Sequence, residues 1–225
     1  GGLVVDRYAD TLVLKLYTAA WWPHLDDVVD ALVDLLRPER IVLRLGRSAT
    51  PPDDPNVTRV DPSLLVDGGV LLGSIPDAPI RFSERGLWFA ADVRHGPKTG
   101  HFLDQRDNRG LVRGMAAGAA VLDVYASTGG FTVSAAAGGA RSVHMVDISG
   151  PALEAARHNL SLNRHIGAVR ACEVTSTVGD AVEVLDHLAT RQGRFDLVIV
   201  DPPSFAHDAA GVPGARRAYS RVVRA

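Results

Sequence analysis

The chain has 225 residues, 46% of them hydrophobic, a formal net charge of −2 and one cysteine, Cys172. This composition allows the core of one large or two modest domains, and a single cysteine excludes an internal disulfide. The sequence has no apolar run long enough to span a membrane, no export leader and no cluster of residues at zinc-site spacing. We therefore expect a cytoplasmic protein without metal or membrane contact. The charge also excludes a global electrostatic attraction to nucleic acid, although a local basic face would be sufficient.

Residues 1–94 show patterns typical of a small α+β domain. The runs Leu3–Val5 and Leu12–Tyr17 are rich in β-forming residues and predict a hairpin. Apolar residues then recur at helical spacing over Leu25–Leu36, and Pro38 should end that helix. The other predictions for this region are strands at Ile41–Leu45 and Leu87–Val93 and a loop at Pro51–Asn56.

From Val121 onward, short apolar strands alternate with helices. This alternation is typical of an α/β fold in which a Rossmann-like parallel sheet carries helices on both faces. Ser149 is a suitable N-cap for the second helix, and Gly138 and Gly139 should end the first. The predicted strands are Val121–Val124, Val143–Val146, Val169–Val174 and Leu197–Val200, and the predicted helices are Phe131–Ala137, Pro151–Asn163 and Ala181–Arg191.

An acidic residue follows or ends each predicted strand of this region. Ligands of open parallel sheets bind beyond the carboxyl ends of the strands, where the strand order reverses. We therefore expect a shared binding site at this edge of the sheet. The four acidic residues are Asp123, Asp147, Asp180 and Asp201.

The run from Asp123 to Phe131 forms the first turn between a strand and a helix. Gly129 and Gly130 allow a tight turn and a close approach of ligand to backbone, and the helix N-terminus can hold an anion. The carboxylate of Asp123 would suit the cationic methionyl end of S-adenosylmethionine (SAM) and would repel a pyrophosphate. The run also lacks the glycine order of dinucleotide-binding folds, so it favours SAM.

The three later carboxylates suit the other parts of the same ligand. Asp147 could accept hydrogen bonds from both ribose hydroxyls, and Asp180 could accept one from the adenine amino group. Asp201 precedes Pro202 and Pro203. These two prolines would give a rigid rim where a planar base could lie beside the methyl donor.

Each of these residues also has a purely structural interpretation. Asp147, Ser149 and Asp180 all stand where helix N-caps occur, the glycine pair could be a simple turn, and the two prolines could only end a strand. Their joint order and spacing nevertheless favours the SAM site over these alternatives.

Four segments resemble the bacterial and archaeal 23S rRNA (cytosine-C5) methyltransferases, a family with a PUA domain, a middle α/β domain and a SAM-dependent methyltransferase domain. Gly96–Arg109 looks like the linker motif of that family, Tyr125–Phe131 like its SAM loop and Phe195–Phe205 like its fourth motif. The opening Gly2–Tyr8 resembles the start of the middle domain. The resemblance covers nearly the whole chain.

The resemblance implies a middle domain at residues 1–94, a linker motif at 95–118 and a truncated class I methyltransferase domain at 119–225. It implies ribosomal RNA of the large subunit as partner, with a homodimer left open, and it adds Phe102, Gln105 and Arg109 to the walls of the SAM pocket. We assign to Asp201 the catalytic role of positioning the base. The full set of expected cofactor-binding residues is Phe102, Gln105, Arg109, Asp123, Tyr125, Ser127, Thr128, Gly129, Gly130, Asp147, Ile148, Ser149, Asp180, Ala181, Asp201 and Pro202.

Basic residues around the linker motif allow two interpretations. Lys98, Arg106, Arg109 and Arg113 could form a solvated helix face. The resemblance favours a pocket wall with phosphate contacts instead. The phosphate candidates are Lys98, Arg113, Arg216 and Arg217.

Three alternatives to cytosine methylation stay open. Cytosine-C5 chemistry needs a cysteine thiolate, and Cys172 is interpreted as a core residue, so the family nucleophile would lie outside this chain and the fragment could be inactive alone. Related enzymes that methylate a guanine nitrogen share the linker and the Asp-Pro-Pro motif. A nucleotide-dependent oxidoreductase and a non-catalytic SAM- or RNA-binding module are the remaining alternatives.

Overall fold

The computed structural model describes residues 1–54, 56–190, 194–205 and 211–224. The contacts divide the chain into two compact units, one of residues 1–84 and 89–103 and the other of residues 85–88 and those from 104 onward. Each unit has its own sheet and its own hydrophobic core. The division into middle domain, linker and methyltransferase domain stays a prediction.

The first unit contains a four-stranded mixed sheet. Its strands, in spatial order, are β1 (Leu3–Tyr8), β2 (Thr11–Leu16), β3 (Arg40–Leu45) and β4 (Val70–Leu72). The first two strands form the predicted antiparallel hairpin, and β3 pairs parallel to β2 and antiparallel to β4. The parallel pairing requires a crossover, which helix α1 (Leu25–Leu36) supplies. The short strand β4 was not predicted.

Helix α1 ends where the sequence predicted. Its C-cap, Arg37, adopts the left-handed conformation at φ 45°, and Pro38 follows directly. One face of the helix packs on the sheet, where Leu14, Ile41 and Leu43 are fully buried. The predicted helical spacing identified the core-facing side as far as Leu32, whereas Leu35 is 79% and Leu36 39% exposed.

A separate hairpin pairs β5 (Ile80–Glu84) with β6 (Leu87–Ala91). The predicted strand at Leu87–Val93 is confirmed as far as Ala91. Strand β5 was missed, although its buried and exposed residues alternate strictly from Ile80 to Glu84.

The second unit contains a parallel four-stranded sheet with the order β10, β7, β8, β9. The strands are β7 (Ala120–Val124), β8 (Ser142–Asp147), β9 (Glu173–Val178) and β10 (Leu197–Val200). The helices are α2 (Arg106–Met115), α3 (Gly130–Ala137), α4 (Gly150–Leu162), α5 (Gly167–Ala171), α6 (Ala181–Thr190) and α7 (Val212–Arg224). Since β8 and β10 flank β7 on opposite sides, the strand order reverses at β7, and this is the expected place for a ligand.

Helices cover both faces of the parallel sheet. On one face, Val121, Val143 and Met145 pack with residues of α3 and α4. On the other face, Leu122 and Val146 pack with residues of α6. These findings confirm the predicted fold class, a parallel α/β sheet preceded by a small mixed-sheet region. Among the described residues, none of the helices combines the length and apolar character that crossing a membrane requires.

The prediction of the third strand was wrong in position. Val169 belongs to the one-turn helix α5, which is closed by hydrogen bonds from Arg170 N to the Ile166 carbonyl and from Cys172 N to the Ala168 carbonyl. The strand begins only at Glu173, in parallel register with Ser142 of β8. The predicted end of the third helix, Arg191, lies outside the described residues.

Candidate functional site

The four carboxylates predicted from the sequence lie at or near the carboxyl ends of the parallel strands: Asp123 is the penultimate residue of β7, Asp147 ends β8, and Asp180 and Asp201 follow β9 and β10. Strands β10, β7 and β8 pair in register up to Val200, Val124 and Val146. Because adjacent strands lie about 4.8 Å apart, the next residues of two of these strands, Asp201 and Asp147, come to the same edge of the sheet. The register therefore brings these carboxylates together at the reversal point.

Asp123 lies one residue before the end of β7, and its side chain is only 1% exposed. Its Oδ2 accepts a hydrogen bond of 2.5 Å from Thr132 Oγ1, whereas its buried Oδ1 has no hydrogen-bond partner among the described residues. Burial raises the pKa of Asp123 to about 6; the hydrogen bonds from Thr132 oppose this rise, and the charges of Asp201 and Asp147 add to it. The three carboxylates are thus close enough to interact electrostatically.

Asp180 lies two residues beyond β9 and caps helix α6. Its Oδ1 accepts hydrogen bonds from the backbone N–H groups of Val182, at 2.9 Å, and Glu183, at 3.2 Å. Burial and the nearby Asp180 carboxylate raise the pKa of Tyr125. Asp180 therefore acts as the cap that the structural interpretation anticipated, and it also lies near the loop that follows β7.

The loop after β7 holds two non-glycine residues in the left-handed region. Tyr125 has φ 65° and Ser127 has φ 48°. Each such residue costs roughly 1–3 kcal/mol, and this strain is typical of ligand-binding loops. Two hydrogen bonds join the loop to β8: Ala126 N donates to the Val146 carbonyl at 3.1 Å, and Ser127 N donates to Asp147 Oδ2 at 2.8 Å.

Asp147 is therefore a support for the loop. Its Oδ1 accepts a second hydrogen bond of 2.8 Å, from Ser149 N. Ser149 is the predicted N-cap of α4, and its hydroxyl accepts from Ala152 N at 3.3 Å. Since a carboxylate offers about four acceptor positions, Asp147 retains the capacity to accept ribose hydroxyls.

Gly129 packs closely against helix α4. It has φ 75°, and a Cβ atom at this position would lie 2.6 Å from the Cβ of Ala156 in α4. The sequence interpretation gave the glycine pair a close approach to the cofactor; the structure adds Ala156 as a neighbour, and the cofactor contact of Gly129 stays a prediction. Gly130 is the first residue of α3.

Asp201 is connected to the segment that precedes α2. Gln105 Nε2 donates to Asp201 Oδ1 at 3.4 Å, and Asn108 Nδ2 donates to Gln105 Oε1 at 2.6 Å. Pro202 follows without a backbone donor. Further along this rim, the Phe205 ring packs edge-on against Tyr219 of α7, with 4.8 Å between ring centroids.

The comparison with known proteins matches residues 79–225 to the model of the S-adenosylmethionine-dependent methyltransferases. The chain belongs to this family. Residues 79–225 contain all four carboxylates of the sheet edge and the loop from Tyr125 to Gly130.

Individual relatives of the chain agree with the family match. The ribosomal RNA large subunit methyltransferase of Deinococcus radiodurans is 42% identical over 98% of this chain and 52% of its own length. The ribosomal RNA large subunit methyltransferase I of Shewanella amazonensis is 34% identical over 98% and 52%. The chain thus spans about half the length of these curated relatives.

Solved structures support the fold of the chain. A Streptococcus mutans protein assigned to the SAM-dependent methyltransferases has a TM-score of 0.74 at 21% identity, covering 100% of this chain and 54% of its own. At this identity the likeness concerns the fold alone.

The remaining predicted site residues fall into different surroundings. Phe102 belongs to the first unit, where Lys98 Nζ lies 5.0 Å from the centroid of its ring. Ile148 is 74% exposed directly after Asp147, whereas Ala181 is buried at the start of α6. Thr128 follows Ser127 in the loop after β7. Cofactor contacts of all these residues stay predictions.

The alternative of a solvated helix face was wrong. Helix α2 begins at Arg106, so Lys98 lies outside it, and Arg109 within it is 3% exposed. Arg113 donates from Nη1 to the Arg85 carbonyl at 3.1 Å. Arg216 and Arg217 are exposed on α7.

Two asparagines of the site region were missed by the sequence analysis. Asn159 is fully buried and donates from Nδ2 to the Thr128 carbonyl at 2.9 Å, so it holds the loop after β7 from the side of α4. Asn163 is also buried and exchanges hydrogen bonds with the backbone of Trp88. The available signal was a polar residue three positions after Ala156 on the apolar face of a predicted helix.

Proposed function

We propose that the chain binds SAM at the carboxyl edge of β7 and β8 and belongs to an enzyme that methylates a base of large-subunit ribosomal RNA. The observation that carries the proposal is the buried Oδ1 of Asp123, which has no partner among the described residues. Burying a carboxylate oxygen without a partner costs free energy, so a cationic ligand that pairs with it would bind with a specific advantage.

The residues of the edge suit the parts of SAM in turn. Asp123 would pair with the cationic methionyl end, and Asp147 would accept from the ribose while it holds Ser127. The exposed Ile148 offers an apolar contact for adenine. When bound, SAM supplies an electrophilic methyl group on its sulfonium.

The same charges disfavour a dinucleotide. A pyrophosphate near β7 would face Asp123 and the neighbouring Asp147 and Asp201, which already raise the pKa of Asp123 by repulsion after the effect of burial. Like charges in one site are unfavourable, so the arrangement supports SAM over a nicotinamide cofactor.

The RNA substrate is proposed from the curated relatives, both of which are named as large-subunit ribosomal RNA methyltransferases. Cytosine C5 is the proposed target atom. Its chemistry needs a thiolate to attack the ring. Cys172 directly precedes β9 and so lies at the amino end of the sheet, opposite to Asp147. A thiolate for this reaction is therefore not supplied by these 225 residues.

Methylation of a guanine nitrogen is the second candidate. It is favoured by the position of Cys172, because transfer to a ring nitrogen needs no thiolate. Asp201 lies at the edge of the sheet and is oriented by Gln105, so in either case it would position the base beside the methyl donor.

Calorimetric titration of the chain tests the cofactor. We expect binding of SAM and no binding of NAD. Asp123→Asn should weaken SAM binding about tenfold to a hundredfold, because a charge-assisted hydrogen bond contributes about 1.5–3 kcal/mol. Asp34→Asn, on the exposed side of α1, is the matched control and should bind SAM as the wild type does. Binding of NAD alone would contradict the proposal.

Methyl transfer from labelled SAM to ribosomal RNA tests the substrate, and it is measured with the full-length enzyme to which the chain belongs, because these 225 residues do not supply the thiolate that cytosine-C5 transfer needs. Digestion of the product should release labelled 5-methylcytidine, whereas a labelled methylguanosine would establish the second candidate. SAM binding together with RNA binding and no transfer would support the non-catalytic module instead.

A further inference from the structure

A cavity of about 300 Å³ opens beside strand β9, on the side covered by α4 and α5. It is separate from the edge described above, since none of Asp123, Asp147, Asp180 and Asp201 contributes to its lining. Three arginines surround it, Arg157 on α4, Arg164 after α4 and Arg170 on α5. Its volume is at the lower end of the range of small-molecule sites.

The arginines leave an excess of positive charge at this cavity. Arg157 is held by Glu154, at 2.5 Å, and donates to Ser176 Oγ at 2.6 Å. Arg164 and Arg170 are exposed, and within the described part of the chain their guanidinium groups have neither an ion pair nor a hydrogen bond. Glu173 is the other carboxylate of this stretch. Two guanidinium groups thus stay available for an anion.

The floor of the cavity is apolar. Met145 and Val169 are buried there, and Leu160 and Val174 pack into the same cluster. Ser161, Thr175 and Ser176 also line the cavity, and their hydroxyls already have partners in His158, His144 and Arg157. Apolar side chains beside guanidinium donors match a nucleotide, whose base is planar and whose phosphate accepts paired hydrogen bonds from arginine.

We propose that this cavity binds a nucleotide, with the phosphate on Arg164 and Arg170 and the base against the apolar floor. The favoured source is a segment of an RNA strand, and this choice of source rests on the proposed function. The site would then hold RNA at a distance from the methyl-transfer edge, as phosphate contacts position a strand without reading its sequence.

Cys172 provides a direct probe, because it lines the cavity, is half-buried and is the one cysteine of the chain. The rate at which a thiol reagent alkylates Cys172 is measured with no addition, with a single-stranded RNA oligonucleotide and with a free mononucleotide. We expect the ligand to slow alkylation several-fold.

The variant Arg164→Gln with Arg170→Gln should lose this protection. Arg47→Glu, in an exposed loop of the first unit, changes the net charge by the same amount and should keep it. For RNA, the double variant should also reduce the slope of log affinity against log salt concentration by about 0.7, the value for one lost phosphate contact on a single strand.

The outcomes separate the two sources and the two proposals. Protection by RNA alone assigns the cavity to a strand, and protection by the mononucleotide as well assigns it to free nucleotides. Absence of protection by either, or equal protection of the double variant, would overturn the site. SAM binding is measured in parallel and should not change in the double variant, so failure of the cofactor site is recognised separately.

Discussion

Two buried charged residues, one in each unit, differ in how completely their partners are supplied. In the first unit, Arg44 is 7% exposed and donates to Asp67 Oδ1 at 2.9 Å and to the carbonyls of Val93 and Gly96. In the second unit, Asp123 is 1% exposed, and only Oδ2 has a partner. The first arrangement joins three segments of the chain, whereas the second leaves an acceptor that a ligand can use.

This difference gives a criterion for separating structural from functional buried charges. A buried charge whose hydrogen bonds are supplied by the chain stabilises the fold, and its removal should lower stability. A buried charge that lacks a partner for one of its atoms destabilises the free protein. Its removal should therefore raise the stability of the protein and lower its affinity for the ligand. Four predictions test this criterion.

The largest effect is expected from the ionisation of Asp123. Its pKa rises from 3.8 to about 6 on folding, mainly by burial, so the folded chain binds this proton more tightly than the unfolded chain. The contribution of this proton to the free energy of unfolding is fully present below pH 3.8 and is lost as the pH rises through about 6. The contribution amounts to about 3 kcal/mol. Asp123→Asn should therefore be the more stable protein at neutral pH.

Urea unfolding of both proteins across this pH range measures the effect. The difference in free energy of unfolding should shrink towards zero as the pH falls to 3.8. A variant that is less stable than the wild type at neutral pH would show that Asp123 has a structural partner and would break the comparison.

The second effect concerns Arg44. Arg44→Met should lower the free energy of unfolding by about 2 kcal/mol, because Asp67 and two carbonyls lose a charged donor. Arg47→Met, at an exposed position, is the control and should change stability by less than about 0.5 kcal/mol. Equal changes in the free energy of unfolding for the two variants would show that the contacts of Arg44 do not stabilise the fold.

Asp147 is the intermediate case, because it holds the loop and also lies at the proposed cofactor edge. Asp147→Asn replaces one acceptor oxygen by a donor, so either Ser127 N or Ser149 N loses its partner. We expect a loss of about 1–2 kcal/mol in stability together with weaker SAM binding. Thermal unfolding and calorimetry measure the two quantities, and a loss of stability with unchanged SAM affinity would make Asp147 structural only.

The smallest effect is expected at Ser149, whose hydroxyl already has Ala152 N as its partner. Ser149→Ala should lower stability by about 1 kcal/mol, as for other lost N-caps, with little change in SAM affinity. The same two measurements apply. A large drop in affinity would instead assign the hydroxyl to the cofactor.

The sequence was sufficient for the architecture because the relevant signals are local. The helical spacing in α1, the cap at Ser149 and the apolar runs of β7, β8 and β10 each depend on residues close in the chain. The third strand was misplaced because Val169 is apolar for a different reason: it is the buried residue of helix α5, and the strand starts four residues later. Periodicity does not distinguish these two kinds of burial over so short a run.

The site was predicted in its carboxylates but not in their contacts. Strand ends and parallel topology bring the acidic residues to one edge, and this follows from order alone. That Gly129 meets Ala156, that Asn159 holds Thr128 and that Asp123 has one unsatisfied oxygen depends on packing between elements that are distant in sequence. No spacing rule encodes such contacts.

The left-handed residues Tyr125 and Ser127 have a consequence for the rate of ligand capture. Because the chain itself holds this loop in its uncommon conformation, the loop loses its conformational entropy when the protein folds and not when the ligand binds. The loop itself would then add no slow ordering step to the association of a ligand.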